Sequence, residues 1–229
     1  MKVRLIGSTT VNPETVIGLD NVQDLVAYCA RVSNPANQFN SETSEKLIRY
    51  LIKHKHWSPL EMASATVEVE TTRDIARQLL RHRSFSFQEF SQRYADPASM
   101  GEQFVTREAR WQDTKNRQNS VDFDMTRPFD KDISREWHAH QQRVIEAAKS
   151  AYEWAVANGI AKEQARAVLP EGNTVSKLYV NGTLRSWIHY IELRSSNGTQ
   201  KEHMELAREI GKAIAEIFPM TGEFVHDAT

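Results

Sequence analysis

Apolar residues recur along this chain at two spacings, and the switches between them mark its strands and helices. Val3-Arg4-Leu5-Ile6 alternates and predicts a first strand, closed by Gly7 and Ser8. Helical spacing follows at Val22, Leu25, Val26 and Cys29, and again at Leu47, Ile48, Leu51 and Ile52. His56-Trp57-Ser58-Pro59 breaks that pattern, because Pro59 holds Ser58 extended. A clean alternation comes next, with Ala63, Ala65, Val67 and Val69 on one face and Ser64, Thr66, Glu68 and Glu70 on the other. That is the mark of a half-buried strand. Residues 73–83 then predict a helix with Ile75, Ala76, Leu79 and Leu80 inward.

Between 95 and 130 the periodicity is lost. The stretch is polar, and only Phe104-Val105-Thr106 and Trp111 promise order. A loop of that length inside a domain is a functional flap or an insertion. A long helix is expected from Asp132 to the stop signal Asn158-Gly159, with Ile133, Trp137, Val144, Ala148, Ala151 and Ala155 on its apolar side. A short helix at 164–170, a strand at 175–180 and a helix at 183–193 follow, the last with Leu184, Trp187, Ile188 and Ile191 inward. The final helix is expected over 199–218, with Met204, Ala207, Ile214 and Ile217 inward. No repeat or low-complexity linker interrupts the chain. The reading is one helix-rich α+β domain over residues 1–229, with the polar insertion or flap at 95–130.

Composition narrows the class of function. The 229 residues are 40% hydrophobic and 26% charged, ordinary for a globular protein, and the net charge of −1 argues against a general nucleic-acid coat. No apolar run approaches the ~20 residues needed to cross a bilayer. The opening residues lack the apolar core of a signal peptide, and one cysteine, Cys29, suits a reducing compartment. A cytoplasmic location with no membrane partner is therefore expected.

Against that near-neutral background, charge concentrates in one place. Residues 73–94 hold Arg73, Arg77, Arg81, Arg83 and Arg93 against Asp74 and Glu89, a local balance of +3 with no lysine. Exclusive use of arginine suits planar, bidentate recognition of phosphate or carboxylate. Serines and phenylalanines interleave with the guanidiniums from Ser84 to Ser91, as in a pocket wall, although a surface stripe or a salt-bridged interface would also give the i, i+4, i+8 spacing of Arg73, Arg77 and Arg81. Neither G-x-G-x-x-G nor G-x-x-x-x-G-K-[ST] occurs, so side chains must do any phosphate binding. His54/His56 and His138/His140 read as solvated surface residues rather than metal ligands, and Cys29 as a small apolar side chain.

The run Arg81-His82-Arg83-x-x-Ser86-x-x-Glu89-x-Ser91-x-Arg93-Tyr94 resembles the signature of the flavin-dependent thymidylate synthases, with Gln88 where the family has asparagine. Supporting blocks stand in order at Ala30-Arg31-Val32-Ser33, His56-x-Ser58-Pro59-x-Glu61, Ala165-Arg166-x-x-Leu169-Pro170, Leu184-Arg185-Ser186 and Leu193-Arg194, so the likeness runs from about Cys29 to Phe218. It implies reductive methylation of dUMP to dTMP, with methylenetetrahydrofolate as carbon donor and FAD, reduced by NADPH, as hydride source. It also implies a central antiparallel sheet flanked by helices, and a homotetramer with active sites shared between subunits.

By the same resemblance, Ser58, Arg81, His82, Arg83, Glu89, Arg185 and His189 lie along FAD, with Asn181 or Thr183 beside them. Gln78, Arg81, Glu89, Phe90, Ser91, Gln92, Arg93, Arg166 and Arg194 fall to dUMP. Arg194 is the expected catalytic residue, stabilising negative charge on the uracil as N3 ionises. It would point away from Arg185 if one helix carried both, so that helix is expected to end near Leu193. No protein nucleophile is implied. Two other readings remain open at this point. A nucleotide- or RNA-binding module predicts a colourless protein with steeply salt-dependent affinity. A catalytically inactive flavin-binding relative predicts flavin without turnover.

Overall fold

A computed structural model of the chain describes residues 1–16, 18–95, 101, 103–196 and 198–226. Its centre is an antiparallel sheet of four strands in the order β1 (Lys2–Ser8), β2 (Ser64–Thr72), β6 (Val175–Thr183), β3 (Ser86–Glu89). The alternation seen in β2 decides which side is covered. Ala65, Val67 and Val69 are buried, and across the ladder Val67 faces Val180 and Val69 faces Leu178. The opposite face carries Thr66, Glu68 and Glu70 beside Asn181, Tyr179 and Lys177. Glu68 is buried there between Arg4, at 2.6 Å, and Lys177, at 3.7 Å, so its charge is matched.

Five helices cover the apolar face: α1 (Val22–Ala30), α2 (Ser44–Lys53), α3 (Arg73–Leu79), α6 (Leu184–Arg194) and α7 (Lys201–Ala215). Asn21 caps α1 by accepting the Asp24 amide, and Thr183 caps α6 by accepting the Ser186 amide. Strands β2 and β6 run straight into α3 and α6. Because the strands are antiparallel, the two helices leave opposite ends of the sheet and fold back over it. Trp187, Tyr190, Leu206 and Ile210 close the core behind them.

Three sequence expectations change. The helix expected over 73–83 stops at Leu79, and four residues of the arginine-rich signature become strand β3, an edge strand paired with β6. Phe85 turns inward onto Trp187, with ring centroids 4.4 Å apart, so this aromatic is core rather than pocket wall. It packs so closely over Gly182 that any side chain at 182 would collide with its ring.

The stretch expected to be irregular holds a small hairpin, β4 (Arg110–Gln112) and β5 (Ser120–Asp122), where Trp111 stacks on Phe123 at 4.4 Å. Phe104 bridges to Thr174. Residues 96–100 and 102 of that stretch lie outside the described residues. Helix α4 (Pro128–Ala157) begins one turn before Asp132, with Pro128 at its first position, where a missing amide proton costs nothing. Its expected inward face is largely bare: Ile133, Trp137, Val144 and Ala151 are exposed, while Gln141, Ile145, Ala148, Tyr152 and Ala155 are buried. The helix touches its own chain along that narrow stripe, partly through α5 (Lys162–Ala165), and no described residue covers the rest.

Candidate active site

The sequence-predicted residues gather into three groups, and no side-chain hydrogen bond or ion pair among the described residues joins one group to another. The first lies where the ends of α3 and α6 meet. Arg194, the last residue of α6, donates from Nε to His82 Nε2 at 3.1 Å. Burial, with Arg194 and Arg81 beside the ring, pushes the His82 pKa down to about 4, so Nε2 is a standing acceptor at neutral pH. The bond fixes one edge of the guanidinium. Among the described residues no carboxylate pairs with Arg194, and its two terminal nitrogens are left for a ligand. Edge-on contact with Tyr190, 4.9 Å between centroids at 87°, supports the His82 ring.

In the second group Arg93 and Arg166 converge on Glu163. Arg93 Nε lies 3.7 Å from the Glu163 carboxylate, and Arg166 Nε donates to the Glu163 carbonyl at 3.3 Å. Arg93 also lies over the exposed Tyr94 ring. The third group is built on the turn Ser58–Glu61 and the start of α6, where Arg185 pairs with Glu61 and His189 meets the Trp57 ring at 4.2 Å. Burial and the Arg185 charge lower the His189 pKa.

Helix α6 continues through Arg194 instead of ending near Leu193. Arg185 and Arg194 stand nine residues apart, about half a turn around the axis, and they reach different partners on opposite sides.

The remaining predicted residues divide. Arg81 and Arg83 are exposed and have no ion-pair partner among the described residues. Ser58 is exposed, and Ser91 and Phe90 are half-buried. Asn181 donates to Thr66 Oγ1 at 2.7 Å, in a row across the polar sheet face with Ser86. Gln92 is buried, and its Nε2 has no acceptor. Glu89 accepts from Ser176 at 2.9 Å and lies 3.7 and 3.6 Å from Arg73 and Arg77, so these two arginines are neutralised within the chain. The unpaired positive patch of the signature is thereby reduced to Arg81 and Arg83, since Arg93 faces Glu163.

The sequence named Gln78 but not the residues that hold it. Gln78 is held at both ends, by His203 at 3.1 Å and by Gln200 at 2.7 Å, and His203 in turn meets the Tyr190 hydroxyl at 3.1 Å. A polar residue at an inward position of α7, one turn before the buried Leu206 and two before Ile210, is the signal that would have flagged His203. Cys29 is half-buried with its pKa raised by burial, as suits an inert thiol. No group of three or more metal-ligating side chains occurs among the described residues. Among the described residues no helix is long and apolar enough to cross a membrane.

The architecture is an antiparallel sheet layered with helices on one face, with Arg81, Arg83 and Arg194 lacking a carboxylate partner among the described residues. The comparisons give the class its name. Residues 15–220 match the Thy1 family, thymidylate synthase complementing protein, and the chain belongs to it. It is 48% identical over 219 residues to the probable flavin-dependent thymidylate synthase of Paramecium bursaria Chlorella virus 1, covering 96% of each chain. The flavin-dependent thymidylate synthase of Synechocystis sp. is likewise 48% identical, over 221 residues and 96% of each. Among solved structures, the UMP/dUMP methylase PolB from Streptomyces cacaoi, bound with 5-Br dUMP, superposes with a TM-score of 0.79. It is 27% identical and covers 97% of this chain and 93% of its own.

The cofactor implied is FAD. The donor set fits it: Arg81 and Arg83 are exposed, have no ion-pair partner among the described residues, and suit a diphosphate.

Proposed function

We propose that this flavin-dependent thymidylate synthase methylates dUMP to dTMP with methylenetetrahydrofolate as carbon donor and NADPH as reductant. Bound FAD, once reduced, supplies the hydride. The His82–Arg194 pair is the observation that carries the reading, because it aims a half-buried cation whose terminal nitrogens are uncommitted. Arg194 stabilises the charge that develops on the uracil as N3 ionises, and neutral His82 keeps the guanidinium from turning away. Arg93 and Arg166 take the dUMP phosphate, displacing the long contact to Glu163. Gln78, Ser91, Phe90 and Gln92 line the same nucleotide. Arg81, Arg83, Ser58, Arg185, His189 and Asn181 hold FAD, with Glu89 orienting the arginines at the strand edge. Nothing in this scheme needs a protein nucleophile.

One chain splits these residues into separate groups, with Arg185 and Arg194 on opposite sides of α6. A homotetramer resolves the split, because each site then draws one group from one subunit and the next from another. The exposed Ile133, Trp137, Val144 and Trp154 of α4 supply an apolar surface for that association. The chain acts as one domain with the 95–130 stretch as its insertion, in the cytoplasm, where its single cysteine stays reduced.

The test is the visible spectrum of the purified, FAD-loaded protein under anaerobic conditions. NADPH should bleach the flavin band, and dUMP with methylenetetrahydrofolate should restore it with dTMP formed. Bleaching with no recovery and no dTMP would instead support the inactive flavin-binding relative. Failure to take up FAD would remove the reading. UMP run beside dUMP measures whether this chain shares the substrate range that describes PolB.

A further inference from the structure

Glu202 begins a directed chain of hydrogen bonds that ends deep in the core. Its carboxylate pairs with Arg107, at 3.2 Å, and with Arg110. Burial works to raise the Glu202 pKa, but its hydrogen bonds and the two guanidiniums outweigh it and hold the group ionised. An ionised carboxylate only accepts, so Gln200 must present its amide nitrogen to Oε2, at 2.8 Å. Gln200 Oε1 therefore faces Gln78 and accepts from its Nε2 at 2.7 Å. That turns Gln78 Oε1 toward His203 Nδ1 at 3.1 Å, and the nitrogen must carry a proton to donate. A neutral imidazole protonated at Nδ1 has a bare Nε2, and the Tyr190 hydroxyl donates to it at 3.1 Å. Every link has one donor and one acceptor. The order cannot be reversed without facing Gln200 Oε1 toward the carboxylate.

We propose that Tyr190 and His203 are positioning residues for the nucleotide: they hold the Gln78 amide in a single orientation, so that the substrate meets one preset N–H and one preset oxygen lone pair. The inference rests on the reading that Gln78 contacts dUMP. Tyr190 and His203 are 1% and 0% exposed, so any effect they have on the nucleotide passes through Gln78. Burial, aided by Arg194 and His82, takes the His203 pKa down to about 3, so the ring stays neutral and the tautomer is set by its two bonds. Remove the Tyr190 hydroxyl, and His203 Nε2 becomes a buried acceptor with no donor. Shifting the proton to Nε2 would then set a bare Nδ1 against Gln78 Oε1, and the amide would turn over to relieve it. The ring of Tyr190 also supports His82, so a substitution that keeps the ring isolates the amide from the Arg194 arm.

The test pairs a direct reading of the tautomer with kinetics. In ¹⁵N-histidine-labelled enzyme, the resonances lost on His203→Gln should show Nδ1 protonated and Nε2 bare at every pH from about 6 to about 9. An Nε2-protonated ring, or a mixture, overturns the proposal. Tyr190→Phe should raise the KM for dUMP about tenfold while kcat and FAD affinity hold, since one oriented hydrogen bond is at stake. A variant that melts earlier with an unchanged KM would show a packing role only, and would overturn the proposal. Should Tyr190→Phe fail to fold, the tautomer of the native enzyme still decides. Gln78→Ala separates the two layers of inference. An unchanged KM there removes Gln78 from the nucleotide site and the proposal with it, whereas a raised KM beside a wrong tautomer rejects the positioning claim alone.

Discussion

Two sets of arginines in this fold have opposite fates. Arg73, Arg107 and Arg110 lie within the chain, matched to Glu89, Glu171, Asp74 and Glu202. Arg81, Arg83 and Arg194 have no carboxylate among the described residues. The difference is one of topology rather than composition. The first set sits where α3, α7 and the segment leading to β4 bring distant acids alongside, and Arg110 meets Glu202 from 92 residues away. The second lies on the turn after α3 and at the end of α6, where no acid among the described residues arrives. Burial demands a partner for the first set, and the absence of one leaves the second set for ligands.

Breaking each set in turn should give effects of different kinds. Arg194→Ala has the largest: methylation should fall by at least about a hundredfold, as for loss of a preorganised charge stabiliser, while FAD stays bound. Retained turnover in a dTMP assay would reject its role. Arg107→Ala should cost about 3 kcal/mol in chemical denaturation, because it takes from Asp74 its cation, leaves Glu202 with Arg110 alone and also loses the bond to Thr72. Gly182→Ala should cost about 1–3 kcal/mol by forcing Phe85 off its seat, and an unchanged denaturation midpoint would show that the ring is not held there.

The smallest effect is that of pH. His82 and His203 have folded pKa values near 4 and 3, below the ordinary 6.5, so the unfolded chain binds protons that the folded chain refuses. Their contribution is fully present above pH 6.5. It is lost as pH falls from there toward the folded values, with a slope of up to about two protons taken up on unfolding. In the double variant His82→Gln, His203→Gln that slope should flatten between about pH 5 and 6.5.

The same contrast shows what the sequence could disclose. Strict alternation in β2 and 3.6-residue spacing in α6 located both elements, because one face of each is buried against the core of its own chain. The spacing in α4 was just as helical, yet its apolar residues are bare here, since periodicity reports an apolar face but not what covers it. Strand β3 was hidden because four residues are too few to display alternation, and Phe85 just before it had the look of a pocket wall. Of the site, the signature named Arg81, His82 and Arg83. It could not show that Arg73 and Arg77 were already spent on Glu89 and Glu171, because ion pairs across long separations leave no local pattern. Tyr190 and His203 were missed for a related reason: a tautomer is a property of three elements meeting.

The division between the two sets of arginines is tested most directly by titrating FAD into wild-type protein, the Arg81→Ala, Arg83→Ala double variant and Arg107→Ala, with thermal midpoints recorded on the same samples. The account predicts that the double variant loses about a hundredfold or more in FAD affinity with its midpoint unmoved, each charge-assisted bond being worth about 1.5–3 kcal/mol. Arg107→Ala should do the reverse. A double variant that binds FAD as tightly as wild type would contradict the assignment of the unpaired arginines to the cofactor.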